Sequence, residues 1–275
     1  MSGRRGGSAL IVIGDSLTEH GTWPELLAEA AGWGIERVAH AGQTSTEIAV
    51  RLGAIGMTFS AAGAAQEGRV PLTPVGPSGD FRHHIDAGMA DIAVSGTLAG
   101  RPGLLTHRVG GAALEGWEFA SDSTAPAADA VLDFRAEAPV FSAPAVFVIW
   151  CGRNNPGPVV TRDVAAIVAE LQANRPAARC VVLGVHAASF EPVGSEGAAL
   201  VDGLNATLAQ TFGDHFVDLS AAFREAAPTS DGTTAAQLRS DDVHLNAAGD
   251  AVVARAVARR LSELGWWPTG MALPS

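Results

Sequence analysis

Ala9-Leu10-Ile11-Val12-Ile13-Gly14-Asp15-Ser16-Leu17 is the stretch on which the reading of this chain turns. An apolar run with three β-branched residues, closed by a glycine, describes a strand buried on both faces, as in a parallel sheet. The Gly-Asp-Ser that follows puts a hydroxyl at the carboxyl end of that strand. Open α/β sheets bind their ligands at this edge. A serine after a strand is ordinarily a helix cap whose oxygen accepts a backbone N–H of the next turn. Near the other end of the chain, however, Asp241-Asp242-Val243-His244-Leu245-Asn246 offers the base and acid that a serine nucleophile needs.

Working outward from the first strand, the chain alternates in βα fashion. Residues 23–31 read as an amphipathic helix opened by Thr22 and Pro24, 36–40 as a second strand, and 44–55 as a second helix. The grammar then changes. From 58 to 144 the chain is rich in Gly and Pro, and its apolar segments are short and alternating. Strands are expected at 70–75, 92–98, 104–109, 117–120 and 131–136, joined by turns such as Gly76-Pro77-Ser78-Gly79 and Gly110-Gly111. After that the alternation resumes, with strands at 145–150, 180–185 and 216–219 and helices at 161–174, 197–212 and 247–264. The expected organisation is a discontinuous doubly wound α/β domain, 1–57 with 145–275, carrying an inserted β-rich domain at 58–144.

The bulk properties bound the partners. A chain of 275 residues with 47% hydrophobic and 17% charged residues can bury a sizeable core. Its net charge of −11 argues against duplex nucleic acid or anionic lipid, both of which require clustered cations. There is no lysine or tyrosine, a compositional bias that we do not connect with function. The N-terminal Met1-Ser2-Gly3-Arg4-Arg5-Gly6-Gly7 is basic, but the apolar stretch after it is too short for a signal-peptide core. A cytoplasmic location is therefore expected, with export by another route or prior trimming of the chain as the alternatives. No apolar run approaches the ~20 residues that span a bilayer. Cys151 and Cys180 are expected as free buried thiols.

Nucleophilic acyl transfer needs a nucleophile, a base, a group that orients the base, and donors for the developing oxyanion. Ser16 is the candidate nucleophile and His244 the candidate base. Asp241 stands at a spacing that lets it meet His244 across one turn, and Asp242 is the competing orienter. For the oxyanion, Gly42 just past the second strand can bring a bare backbone N–H close to substrate. Asn154 past the strand at 145–150 can donate its amide, and the Ser16 N–H completes the set. All of these lie at or beside carboxyl ends of strands, the edge on which they could converge.

Taken together these segments resemble the SGNH, or GDSL-type, serine hydrolases, named for a Ser, a Gly, an Asn and a His in separate blocks. Ser16 in Gly-Asp-Ser-Leu, Gly42, Asn154 in Gly-Arg-Asn-Asn, and Asp241 with His244 in Asp-Asp-Val-His-Leu-Asn match in order and context, over 9–56 and 145–264. The resemblance implies a flavodoxin-like three-layer αβα fold and ester hydrolysis, with acetylated sugars, lipids, thioesters or small acyl esters as usual substrates. Two departures stand out. Asn155 occupies a position where Asp is common, and the β-rich block at 58–144 replaces a helical connection. An insertion at that edge is placed to line or cover the site. The Gly-x-Ser-x-Gly elbow of the α/β hydrolases is absent, since Ser78 and Ser195 lack glycines at the required spacing.

The expected activity is a serine esterase removing short acyl groups, acetyl foremost, from a small-molecule or glycan ester. An acyltransferase using the same acyl-enzyme is one alternative, and a glycan-binding module with a vestigial site is another. Asp15, Arg153 and His186 are candidates for lining the substrate. His83, His84, Asp86 and His107 match no recognised ligand spacing, so neither metal nor other cofactor is expected.

Overall fold

The computed structural model describes residues 9–63, 68–76, 92–107, 116–121, 131–141 and 145–274. The expected turns at 77–79 and 110–111 lie outside these residues, as does the basic N-terminal segment. In chain order the first elements are β1 (Ala9–Gly14), α1 (Ser16–Glu19), α2 (Trp23–Ala31), β2 (Gly34–Ala39) and α3 (Ser45–Arg51). Six strands follow, β3 (Met57–Ala61), β4 (Arg69–Gly76), β5 (Ile92–Leu98), β6 (Arg101–His107), β7 (Trp117–Ala120) and β8 (Val131–Ala136). The last part holds β9 (Ala145–Trp150), α4 (Pro158–Asn174), β10 (Arg179–Leu183), α5 (Glu196–Phe212), β11 (Phe216–Val217), α6 (Leu219–Ala226) and α7 (Ala247–Glu263).

The chain is thus a mixed α/β protein built on a parallel sheet. The strands run in the order β2-β1-β9-β10-β11, which in sheet numbering is 2-1-3-4-5, the doubly wound order that flavodoxin shows. Alternation along β1 explains the helix layers, because successive side chains of a strand face opposite ways. Leu10 and Val12 join a core with Trp23 and Leu27 of α2, Phe223 of α6, and Val253 and Val257 of α7. Ile11 and Ile13 join another with Ile48 of α3, Val164 and Ile167 of α4, and Leu204 and Leu208 of α5.

The strands of residues 57–136 close into a six-stranded barrel in the order β3-β4-β7-β6-β5-β8, every described pairing antiparallel. Its interior holds Met57, Phe59, Leu72, Leu105, Trp117, Phe119, Leu132 and Phe134. Val50 of α3 belongs to this barrel core, whereas Ile48 and Ala49 on the same helix belong to the sheet layer. One helix therefore seals two cores.

Several boundaries differ from expectation. The helix anticipated over 44–55 stops at Arg51, because Gly53 at φ +74° takes the chain out of the helical region. β3 was not anticipated, although its five residues alternate between buried and half-buried. The last sheet strand ends at Val217, and Asp218 then caps the unanticipated α6 by accepting the Ala221 N–H. Among the described residues no helix is long and apolar enough to cross a membrane.

Candidate active site

Strand register brings the site together. Gly14 of β1 is level with Ala39 of β2 on one side and Trp150 of β9 on the other, so all three strands end at one line. The residues after them, Asp15-Ser16, His40-Ala41-Gly42 and Cys151-Gly152-Arg153-Asn154, leave the sheet at that edge, where its strand order reverses. Gly14 is required by space. A Cβ there would lie 2.3 Å from Thr18 Oγ1 and 2.7 Å from the Trp150 carbonyl oxygen. Asp15 then caps α1 through its Leu17 N–H bond (3.1 Å), which turns Ser16 onto the first residue of that helix.

His244 Nε2 lies 2.9 Å from Ser16 Oγ, and His244 Nδ1 lies 2.8 Å from Asp241 Oδ2. Asp241 also accepts the Val243 and His244 backbone N–H groups at 2.7 Å on Oδ1. Its carboxyl is held at about 2: burial raises it, but these two N–H bonds, the imidazole hydrogen bond and its charge more than offset that. An ionised carboxylate is acceptor-only, so the proton sits on Nδ1 and Nε2 is the acceptor for the Ser16 hydroxyl. The Asp241–His244 turn is not helical; it is closed by the Asp241 side chain itself. Asp242 turns away, accepting the Ser189 hydroxyl at 2.5 Å.

The candidate oxyanion donors are also at this edge. Gly42 adopts φ +72°, a left-handed conformation that L side chains rarely adopt. Among the described residues neither its N–H nor that of Ser16 donates to a protein acceptor. Asn154 donates one amide hydrogen to the Gln43 carbonyl at 2.9 Å. Ser16, Leu17, His20, Gly21, Ser240, Asp241, His244, Leu245 and Asp250 line a cleft of about 330 Å³.

The other expected lining residues sit elsewhere. Arg153 is buried, its guanidinium paired with Glu191 and bonded to the His186 carbonyl oxygen (2.7 Å). It serves as an internal ion pair and not as an arm for an anionic substrate. His186 is fully buried against Trp150 and Phe223, with Nε2 2.8 Å from the Val243 carbonyl oxygen. Burial and the Arg153 charge lower it to about 4, so it is neutral and donates this bond. It thereby holds the turn that carries His244. Asp15 is also buried, and burial lifts its carboxyl to about 6 against the Leu17 N–H and the charges of Arg153 and His244.

Cys151 and Cys180 are free and buried. Burial pushes the Cys180 thiol up to about 12 and the Cys151 thiol well above its ordinary value, which leaves both protonated. His83, His84 and Asp86 lie outside the described residues, and His107 stacks on Trp117 within the barrel at 4.5 Å.

Some site residues escaped the sequence reading. Glu19 accepts the Ala41 N–H at 2.6 Å and so ties α1 to the Gly42 loop. Asn246 caps α7 through the Ala248 and Gly249 N–H groups and clasps the Gln237 and Arg239 carbonyls. Thr44-Ser45-Thr46-Glu47 forms a reciprocal capping box that places α3 just after Gly42. The spacing of that box was legible in the sequence; nothing in the spacing marks Glu19.

No family model and no curated protein matches the chain. Among solved structures it is similar to an alpha/beta hydrolase enzyme from the metagenome of Lake Arreo, Spain, with 15% identity over 96% of this chain and 97% of that one, TM-score 0.48. It is similar to a GDSL-like lipase from Bacteroides thetaiotaomicron, with 13% identity over 94% and 89% of the two chains, TM-score 0.48. It is likewise similar to an acetylxylan esterase from Geobacillus stearothermophilus, with 15% identity over 94% and 96%, TM-score 0.47. Likeness at this depth does not carry over a substrate or an activity.

Proposed function

We propose that this chain is a serine esterase of the SGNH type, acting through an acyl-enzyme at Ser16. The observation that carries the reading is the unbroken line from Asp241 through His244 to Ser16, at 2.8 and 2.9 Å. His244 takes the Ser16 proton as Oγ attacks the ester carbonyl, and Asp241 stabilises the imidazolium. The N–H groups of Ser16 and Gly42 and the second amide hydrogen of Asn154 receive the oxyanion. His244 returns the proton to the departing alcohol, then activates water to release the acid.

A short acyl group, acetyl foremost, fits the cleft. Among the described residues its large apolar lining side chains are Leu17 and Leu245, which offer little wall along which a long chain could lie. The polar remainder favours a hydroxylated alcohol such as a sugar. Hydrolysis is favoured over transfer because the His244 and Asp241 side chains are 40% and 56% exposed, and transfer requires water to be kept from the acyl-enzyme. We read the barrel of 57–136 as an inserted domain within a discontinuous catalytic domain; the packing of Val50 of α3 into its core supports a role in selecting substrate.

Hydrolysis of a p-nitrophenyl ester series from acetate to decanoate tests this. Wild type should cleave acetate fastest and fall steeply beyond butyrate. Ser16→Ala and His244→Ala should each abolish cleavage, with Asp241→Ala milder by roughly tenfold to a hundredfold. Comparable activity in Ser16→Ala would remove the mechanism.

A further inference from the structure

A second polar network, distinct from the Ser16 line and buried at Asp163, Ser45, Thr46 and Asn155, runs from α4 to the loop that carries Asn154. Asp163 of α4 has no exposed surface. Its Oδ2 accepts the Ser45 hydroxyl at 2.7 Å and the Thr46 hydroxyl at 2.6 Å, while Oδ1 accepts Arg162 Nε and Nη2 at 3.0 and 2.7 Å. Ser45 is in turn clasped by Asn155. The Asn155 carboxamide accepts the Ser45 N–H at 3.0 Å and donates to Ser45 Oγ at 3.1 Å.

We propose that Asp163 is a positioning residue that fixes the direction of hydrogen bonding along Asp163–Ser45–Asn155 and so aims the Asn154 amide. The proposal rests on the esterase reading, in which Asn154 is an oxyanion donor. A carboxylate can only accept, so the one Ser45 hydroxyl proton points to Asp163. Ser45 Oγ is left only its acceptor side for Asn155, which presents Nδ2 to the hydroxyl; the Ser45 N–H, a donor only, takes Oδ1 and so supports the same orientation. With the amide plane of Asn155 set, the 152–155 loop is joined to the 43–45 segment at two points: Asn155 to Ser45, and Asn154 Nδ2 to the Gln43 carbonyl. Gly42 and Asn154 are consequently held at a fixed separation from opposite sides of the site.

The polarity is reversible on paper, which gives a sharp test. Asn155→Asp alone puts carboxylates on both sides of one hydroxyl proton, and one of them must lose its bond. Adding Asp163→Asn lets the chain run the other way. The carboxamide at 163 donates to Ser45 Oγ, the hydroxyl donates to the carboxylate at 155, and that carboxylate keeps the Ser45 N–H.

The experiment is steady-state hydrolysis of p-nitrophenyl acetate by wild type, Asn155→Asp and the Asn155→Asp/Asp163→Asn double variant, well below their melting temperatures. Deleting an oxyanion donor outright costs about 10²–10³ in kcat. A misaimed one should cost Asn155→Asp about 10- to 100-fold in kcat with KM nearly unchanged. The double variant should recover most of that loss. Wild-type kcat in Asn155→Asp, or no recovery in the double variant, overturns the proposal.

Should Asn155→Asp fail to fold, Ser45→Ala removes the shared hydroxyl and should show the same kcat-specific loss; an unchanged kcat there also overturns it. Exchange of the Asn154 side-chain amide protons, followed by ¹⁵N NMR, reads the aim without reference to turnover. It should quicken in Asn155→Asp and slow again in the double variant, and an unchanged rate counts against the proposal. A wild type that cleaves no ester but shows this exchange pattern would fail the esterase reading and not the positioning network.

Discussion

Ser16 and His244 meet at 2.9 Å across 228 residues of chain, yet much of what tunes that contact is buried beside it and carries charge. Asp15 is the sharpest case. Its Oδ1 holds the Leu17 N–H, but among the described residues its buried Oδ2 has no hydrogen-bond partner. The fold raises its carboxyl from 3.8 to about 6, so the protonated form is the one the fold favours. That stability is complete below 3.8 and is lost as pH rises through 6. Asp15→Asn keeps an acceptor for Leu17 and removes the charge. In urea titrations it should be more stable than wild type at neutral pH by about 1–3 kcal/mol, with the gain vanishing near pH 4. A gain that persists unchanged into acid would exclude the titration of Asp15 as its cause. At this scale the candidate site residues were legible: Ser16 opens α1, Gly42 and Asn154 follow β2 and β9, and Asp241 and His244 lie in the turn that precedes α7. Arg153 and His186 were misassigned because their exposure depends on Glu191 and Val243, which no local pattern brings to them.

At the scale of elements, the pairing of β1 with its neighbours decides where Ser16 sits. Gly14 lies against the backbone of β9, the strand next to it in the sheet, so an added Cβ meets a carbonyl that the sheet ladder holds in place. Gly14→Ala should therefore destabilise the protein by about 1–3 kcal/mol, as overpacking does. It should also lower kcat by displacing Ser16, and thermal melts alongside ester hydrolysis check both. Unchanged melting would mean that β1 can move away from β9. Elements with a full hydrophobic signature, such as β1, β9 and α7, were found almost to the residue. Of the short ones, the four-residue β7 was found and others were not. The two-residue β11 and the eight-residue α6 owe their form to Asp218, a cap whose effect depends on where the chain turns.

For the molecule as a whole, one helix, α3, joins the barrel core to the sheet, and one buried imidazole couples global stability to pH. His186 falls from 6.5 to about 4 in the fold, through burial first and the Arg153 charge second. Above 6.5 neither state binds the proton. As pH drops below that value the unfolded chain takes it up while the native one does not, so stability is lost down to about 4 and levels off beyond. His186→Gln retains an N–H for the Val243 carbonyl and does not titrate. Relative to this variant, wild type should lose up to about 3 kcal/mol between neutral pH and the acid plateau. A pH-independent difference between them would rule His186 out as the acid-labile group.

Features that depend on near neighbours along the chain can be read from the residues alone. Apolar runs specify the strands, the i, i+3 spacing of Asp241 and His244 specifies their contact, and Gly-Asp-Ser after β1 specifies a cap that turns a serine outward. Features that depend on parts far apart in sequence emerge with the folded arrangement. The level endings of β1, β2 and β9 bring the Ser16, Gly42 and Asn154 segments to one edge. Packing buries Arg153 and His186, closes the barrel beneath α3, and places Asp163 against Ser45. The physical reason is that local geometry is set by dihedral and hydrogen-bond preferences within a few residues. Burial, and with it charge state and the direction of a shared proton, is set by whichever distant elements close over a group.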